Sequence, residues 1–420
     1  MRLERSQLER MQFKELRAIL SHAYDNVPFY HAKFRSAGVR PDDIMSFEDM
    51  LKIPITTKDE IQSAQLNQMV ARGVDIQKCI ANKTSGSTGI PLITLVGKRT
   101  QDVEGAVWLR AYFENGLGLR DKKIIITDPR THDFSEERWT QRIGLMKRRY
   151  ASIFDHVEKT FTFASQEKPD VIEGYPSSLA ILADFCRKNH YILNPRLIFT
   201  QAEYLDGQSR ELISSTFQTE VFDYYGSSEL SLMAWECQAH SGYHLNSDSL
   251  VTEFLRSGGH AASGERGEIV CTTLVNYEMP LIRYNIGDIG IPMEERCGCG
   301  RTLPIMRIVE GRKDDFLLAL DGRIIPPTVF FPYPFGEYAQ RIKQFRVIQE
   351  KKDMVKIELV IGEDLTDWNQ VFKKATNEIK RLFGEGMQVK FQMLGDIGRH
   401  KNGKLRKVVS HVPVEIGSDK

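Results

Sequence analysis

A chain of 420 residues exceeds what one simple hydrophobic core can organise, and its length points to about two or three domains. Its 57 lysines and arginines against 56 aspartates and glutamates leave a formal net charge of +1, so no overall field draws it to nucleic acid or to an anionic membrane. Hydrophobic content of 41% and charged content of 27% exclude a disordered chain, and six cysteines are too few for a disulfide scaffold, which makes a small-molecule substrate the default.

The N-terminal segment sets Leu3, Leu8, Met11, Leu16, Ile19, Leu20 and Ala23 among charged residues, which predicts an amphipathic helix over 5–24 and lacks a signal-peptide apolar run. The expectation is a cytoplasmic protein. The best candidate for a membrane span, Ile324 to Phe335, is broken by Pro326, Pro327, Pro332 and Pro334. The first helix ends near Asn26-Val27-Pro28, where proline disfavours helix in the residue before it. Ile53-Pro54-Ile55-Thr56 reads as extended, and Thr57 with Glu60 three residues on has the pattern of a capping box.

Thr84-Ser85-Gly86-Ser87-Thr88-Gly89 then packs hydroxyls and glycines together before Ile90-Pro91, between two strand-like runs. Glycine lets the backbone bring N–H groups close to an anion, and hydroxyls add donors, so such a loop can hold phosphate; the same composition also makes an ordinary surface turn. The lysine and spacing of a Walker A loop are missing. Helices at about 100–116, 178–189 and 207–217 alternate with strands at 123–127 and 197–203, as in an α/β layered domain. Glu173-Gly174-Tyr175-Pro176-Ser177 reads as a glycine turn with a serine-capped helix start, either a plain βα loop or a substrate-lining one. The strand Leu197 to Glu203 has a polar carboxyl end, the place where α/β sheets receive ligands.

Val221 to Glu229 repeats the pattern, with aromatic residues, Gly226, Ser227 and Ser228, then a carboxylate. Aromatic faces stack on planar bases and a carboxylate beside hydroxyls can hold magnesium, although a core strand running into a helix cap has the same look. Asp288 follows Gly287 in Arg283-Tyr284-Asn285-Ile286-Gly287-Asp288, where a fixed carboxylate could accept from both hydroxyls of a ribose or simply complete a turn.

Together with Gly311-Arg312-Lys313-Asp314-Asp315 and Gly403-Lys404-Leu405-Arg406, these segments resemble, in order, the signature motifs of the adenylate-forming superfamily, most closely the branch of phenylacetate-CoA ligase, capsular-polysaccharide ligases and deazaflavin-cofactor adenylating synthetases. The resemblance covers most of the chain. It implies an α/β fold whose large N-terminal domain, residues 1–311 with layered mixed sheets and helices, binds ATP and acid, a hinge at 312–314, and a small mobile α+β domain over 315–420. The sequence itself supports a ββαβ tail, with a hairpin of 345–348 and 354–361, a helix at about 366–383 and a strand at 387–393.

The resemblance further implies ATP, Mg²⁺ and coenzyme A as cofactors and a carboxylic acid, with an aromatic acid favoured, as substrate. Thr84 to Gly89 would grip the leaving phosphates, Glu229 would hold magnesium, and Lys404 would bridge carboxylate and α-phosphate oxygens, a task suited to a compact cation on a flexible stem. Ala202, Glu203, Tyr225, Gly226, Ser227 and Ser228 would line the nucleotide site, Asp288 would take the ribose, and Arg312 would sit near ribose or phosphate. Asp314 would be the hinge residue, and Gly174, Tyr175 and Pro176 would adjoin the acyl pocket. Ile90 departs from the pattern, since some relatives carry lysine there. A homodimer is compatible with the resemblance; nucleic acid and membrane are not expected partners.

Cys297-x-Cys299 and Cys237-x2-His240-x3-His244 supply the thiols and imidazole that tetrahedral zinc prefers, with free thiols in a turn as the other reading. Relatives in the branch carry a similar structural cluster, which implies Cys237, His244, Cys297 and Cys299 as ligands and His240 as the substitute for His244. Three functions follow in order of preference: an acid–thiol ligase passing the acyl group to coenzyme A, an adenylyltransferase that releases an AMP ester or serves a carrier protein, and a non-catalytic nucleotide-binding protein.

Overall fold

The computed structural model describes residues 3–83, 92–127, 129, 139–153, 155–312, 317–322, 324–325, 342–361, 368–398 and 408–412. The chain divides into two units, Met1–Gly118 with Phe222–Ile308 and Leu119–Val221 with Val309–Lys420.

In the first unit the apolar spacing of the N-terminus produces helix Arg5–Asn26, which buries Leu8, Leu16, Ile19, Leu20 and Ala23. Val27 is extended, as expected before proline, and Pro28 opens a second helix, Pro28–Ser36, where only a break was predicted. Proline fits there because a first-turn position has no intrahelical use for its missing N–H. The Thr57 capping box forms as read: Glu60 N–H donates to Thr57 Oγ1 at 3.2 Å, Thr57 N–H donates to Glu60 Oε2 at 2.8 Å, and helix Lys58–Ser63 follows. Ile80–Lys83 pairs antiparallel with Ile93–Val96, so the flanks of the 84–91 segment are strands; the segment itself lies outside the described residues.

The sheet strands of this unit run in the neighbour order Gly259–His260, Leu250–Arg256, Gly267–Thr273, Tyr284–Met293, Ile305–Arg312, Tyr243–Leu245, Ser231–Glu236 and Val221–Ser227. Their buried faces join the N-terminal helices in one core that includes Tyr30, Phe34, Met233, Ile269 and Tyr284. Arg283 fixes where strand Tyr284–Met293 begins. Its guanidinium pairs with Glu253 at 2.9 Å, both side chains almost wholly buried, and donates to the Ile53 carbonyl. Thr56 N–H donates to Arg283 O at 2.8 Å and Asn285 N–H to Thr56 O at 2.9 Å, so the extended Ile53–Thr56 segment is stitched beside the strand that carries Asp288.

In the second unit, Leu197–Gln201, Val171–Gly174, Lys122–Thr127 and Lys147–Ser152 lie side by side, all parallel. Parallel pairing needs a crossover, and helices Val157–Glu167 and Pro176–Lys188 supply two of them. Ile124, Ile126, Ile172 and Ile198 meet Leu179, Leu182 and Ala183 in a second core. Lys123 and Glu173 form a buried pair at 2.6 Å between neighbouring strands, with Gln201 donating to the other Glu173 oxygen at 2.8 Å.

The same unit holds a separate tail core. Ile342–Lys351 pairs antiparallel with Met354–Ile361, which pairs parallel with Gln388–Met393; Val408–Ser410 adds parallel to Ile342–Lys351 on the other side. The ββαβ reading is therefore extended by one strand. Helix Trp368–Phe383 buries Val371, Ala375, Ile379 and Phe383, a four-residue repeat that makes one apolar stripe. Phe383 is fully buried against this core. Phe383→Ala is expected to destabilise the tail by about 3–5 kcal/mol, the cost of an aromatic-sized cavity, and hydrogen exchange at Val355 and Ile357 in the intact chain measures it.

Candidate active site and metal centre

The motif of the first unit expected to line the nucleotide is a hairpin. Strands Val221–Ser227 and Ser231–Glu236 pair with Ser227 opposite Ser231, so Ser228 and Glu229 sit in the connecting turn, not at a helix start. The turn is tight because Gly226 has no side chain: a Cβ there would lie 2.3 Å from the Ser231 carbonyl oxygen. Ser227 Oγ accepts from Leu230 N–H at 3.2 Å, and Ser231 takes a left-handed φ of 57° to close the loop.

Asp288 is presented by a β-bulge. Val270 pairs with Asn285 and Glu268 with Ile289, leaving extra residues around Gly287, whose φ of 81° and N–H bond to Asn285 Oδ1 at 2.8 Å mark the distortion. A bulge inside a strand replaces the simple turn expected from Gly287-Asp288. It brings Asp288 to Tyr225, whose hydroxyl donates to Asp288 Oδ2 at 2.7 Å across 63 residues of sequence. Tyr284 does the same for Glu229, its hydroxyl donating to Oε1 at 3.1 Å. Tyr225, Glu229 and Asp288, read separately from three segments, thus stand on neighbouring parts of one scaffold, each half-buried and each carboxylate held by a tyrosine. The arrangement can present two oriented carboxylates and an aromatic face to a nucleotide and its metal. Tyr284 was not singled out by the sequence, which offers no signal beyond its place two residues before Ile286.

In the second unit, Gly174 ends its strand with Ile126 Cβ and O only 3.2 Å from where a Cβ would stand, and Pro176 opens helix Pro176–Lys188. The expected serine cap does not form. Tyr175 occupies the cap position without a side-chain capping bond, and Glu203 takes over the role by accepting from Ser177 N–H at 3.1 Å. A carboxylate satisfies an orphan N–H and faces the positive end of the helix, so it outcompetes a hydroxyl there. Ala202 just before it holds a left-handed φ of 70°, a strained conformation for alanine at the carboxyl end of its strand. The backbone of Arg312 ends strand Ile305–Arg312. Thr84 to Gly89, Asp314, Lys404 and the Arg312 side chain lie outside the described residues.

The second constellation is closed. Cys237, His244, Cys297 and Cys299 offer donor atoms that all lie within 4.8 Å of one another, the group of this kind among the described residues. Cys237 Sγ is 3.6 Å from Cys297 Sγ, and His244 Nε2 is 3.3 Å from both Cys237 Sγ and Cys299 Sγ. Donors about 2.0–2.3 Å from a tetrahedral zinc stand roughly 3.3–3.8 Å apart, so the set fits that ion. The Leu303 carbonyl lies 3.4 Å from His244 Nδ1, the contact that turns Nε2 toward the sulfurs. Burial pushes the Cys237 thiol up to about 12 and pulls His244 down to about 4, which keeps the imidazole neutral and able to donate a lone pair. Burial also raises Cys297, but bonds from Ser241 and the Cys299 backbone outweigh it and leave that thiol below its ordinary value. His240 is elsewhere: it stacks on Phe222 with ring centroids 5.4 Å apart and lies 3.6 Å from Glu236.

Residues 317–411 match the family model described as CapK C-terminal domain. The chain is 27% identical to phenylacetate-coenzyme A ligase of Pseudomonas putida, over 93% of this chain and 92% of that one. It is 23% identical to protein CapK of Staphylococcus aureus, over 86% of this chain and 80% of that one. Among solved structures, a 2-hydroxyisobutyryl-CoA ligase in the postadenylation state superposes with a TM-score of 0.80 at 19% identity, covering 97% of this chain and 90% of that one, a likeness of fold. No helix among the described residues is long and apolar enough to cross a membrane.

Proposed function

We propose that this chain, similar to phenylacetate-CoA ligase and to CapK, is a member of the adenylate-forming superfamily and joins a carboxylic acid to coenzyme A at the expense of ATP, through an acyl-adenylate. The carboxylate attacks the α-phosphate, pyrophosphate leaves, and a thiol then displaces AMP. The observation that supports the proposal is that each of the two carboxylates suggested for ribose and magnesium is oriented by a tyrosine hydroxyl, Asp288 by Tyr225 and Glu229 by Tyr284, within a chain similar to phenylacetate-CoA ligase over most of its length.

Each residue then has a physical task. Bringing two anions together requires neutralisation before the pentacoordinate state forms, and that charge has to be fixed in advance to be effective. Thr84 to Gly89 supply N–H and hydroxyl donors to the phosphates, and Glu229 contributes a magnesium ligand held in place by Tyr284. Asp288 accepts from the ribose hydroxyls, and Tyr225 both orients Asp288 and offers its ring to adenine. Ala202, Glu203, Gly226, Ser227, Ser228 and Arg312 complete the nucleotide surroundings, and Gly174 to Pro176 border the acid. The segment 312–314, with Asp314, is the hinge on which residues 315–420 bring in Lys404 for adenylation and withdraw it for thioester formation. Cys237, His244, Cys297 and Cys299 hold a structural zinc, which when bound supplies a closed cross-link and no open coordination site.

A panel of aromatic and aliphatic acids assayed for acid-dependent ATP–pyrophosphate exchange, and for AMP formation with and without coenzyme A, tests the proposal. The expected result is exchange with some acid and net AMP release that needs coenzyme A. Steady ATP turnover to AMP or to an AMP ester without coenzyme A would favour an adenylyltransferase, and no exchange with any acid would refute the ligase.

A further inference from the structure

Helix Lys98–Glu114 carries one carboxylate, Glu104, that stands apart from the others among the described residues. Its other charged side chains are engaged: Lys98 with Asp102 at 2.5 Å, Arg99 over the Tyr277 ring, Arg110 with Asp248 at 2.5 Å, and Glu114 with Arg301 at 3.0 Å. Glu104 has no hydrogen bond or ion pair among the described residues. Its neighbours one helical turn away are Thr100, Gln101, Val107 and Trp108, none of them cationic, so no pairing along the helix is available.

Glu104 instead lines a cleft with Glu229, Ser231, Ser249, Thr273 and Asn276, over an apolar floor of leucine and valine side chains. No lysine, arginine or histidine is among the described lining residues, and with Glu229 assigned to magnesium, Glu104 is the carboxylate left facing hydroxyls and an amide. The free volume is about 10 Å³, room for one water-sized group and far too little for an aromatic ring. The Trp108 indole N–H donates to Ser231 Oγ at 3.1 Å and so braces the helix against the opposite wall.

We propose that Glu104 is the specificity-determining residue of this cleft, and that the carboxylic acid the enzyme activates carries an ammonium group which seats there as its counter-ion. This rests on the ligase reading, and deepens it by naming the substrate class. The size of the cleft matches an ammonium head, its sign attracts one, and its lining offers three hydroxyls to complete the head's hydrogen bonds. Because Glu229 borders the same cleft, the ammonium group sits near the metal end of the site, so the spacer between ammonium and carboxylate is short or a single ring. Burial alone pushes the Glu104 carboxyl up to about 7, which shows how poorly the protein compensates its charge without a ligand. A methyl group of the same size would fill the cleft but leave that carboxylate unpaired.

Paired acids differing only in this group decide the matter: β-alanine against butyrate, γ-aminobutyrate against pentanoate, and para-aminomethylbenzoate against para-ethylbenzoate. Each pair is measured by ATP–pyrophosphate exchange and by calorimetric binding, with wild type, Glu104→Gln and Glu104→Leu. The expected result is that wild type favours the ammonium member of at least one pair by about ten-fold or more, as a charged hydrogen bond implies, and that Glu104→Leu reverses the order. Glu104→Gln, close in shape, controls for misfolding and should show an intermediate preference. Equal preference in wild type and Glu104→Leu overturns the inference while leaving the ligase reading in place. A Glu104→Gln enzyme that keeps the wild-type preference but needs more magnesium overturns it too, and makes Glu104 a metal ligand. If no acid supports exchange, the ligase reading fails first; calorimetry still decides, because absence of ammonium-selective binding in wild type then refutes the pocket as well.

Discussion

Lys404→Ala is expected to cut acid-dependent ATP–pyrophosphate exchange by about 10²–10³-fold, the usual cost of removing one preorganised charge from a transition state. The same variant given a preformed acyl-adenylate and coenzyme A should still make thioester at close to the wild-type rate. The asymmetry follows from the proposed division of labour. Lysine is needed where carboxylate and α-phosphate oxygens meet, because both partners are anions, and has no role once the acyl phosphate bond exists. Lys401→Ala, three residues earlier in the same basic segment, is the control: a charge that merely raises the local potential would lose as much at 401 as at 404. Equal losses at the two positions would reduce Lys404 to a solvated lysine, and undiminished exchange in Lys404→Ala would remove it from the adenylation step.

What the sequence made legible divides along the range of the interactions involved. The capping box at Thr57, the break before Pro28, the helix expected at about 366–383 and the flanking strands of the 84–91 segment are local, and each appears in the structure, with a second helix opening at Pro28. The short strand Val408–Ser410 was missed because three residues carry too little periodicity to register, and only its parallel partner at 347–349 makes it a strand. Within the site, residue types and motif order pointed to Tyr225, Glu229 and Asp288. Their mutual hydrogen bonds were illegible, since they depend on a bulge at Gly287 and on Tyr284, and a bulge leaves no more trace in sequence than an ordinary glycine turn. The same holds for Glu203, whose capping of a helix that begins 27 residues earlier replaced a serine that looked adequate on local grounds. Glu104 shows the limit most plainly: in sequence it is one more charge on a helix, and only the absence of a partner among the described residues distinguishes it.

Removal of the proposed zinc is expected to lower the melting temperature by about 10 °C, from roughly 3–5 kcal/mol of lost cross-linking at 2–4 °C per kcal/mol for a unit of this size. Purified protein should contain one zinc per chain by mass spectrometry, and Cys237→Ser or Cys299→Ser should lose it, whereas His240→Ala should keep it because that ring stacks on Phe222 outside the donor set. The effect should also reach beyond the ligands. His244 packs against Trp235 with ring centroids 5.3 Å apart, the Arg301 guanidinium lies 5.3 Å from the Trp235 ring on its way to Glu114, and Glu114 ends the helix that carries Glu104. Trp235 is fully buried and its indole N–H donates to Asn246 Oδ1 at 3.2 Å, which also accepts from Arg110 at 2.7 Å. Loosening the cluster therefore frees both ends of one chain of contacts, and chelation should shift tryptophan emission to the red while raising the KM for the acid more than that for ATP. A protein that binds no zinc, and whose melting temperature is the same in Cys237→Ser, would make the four donors a set of buried thiols beside a core histidine. In that case the packing of Trp235 against Arg301 and Asn246 alone would have to hold the helix in place, and Arg301→Ala would become the more damaging change.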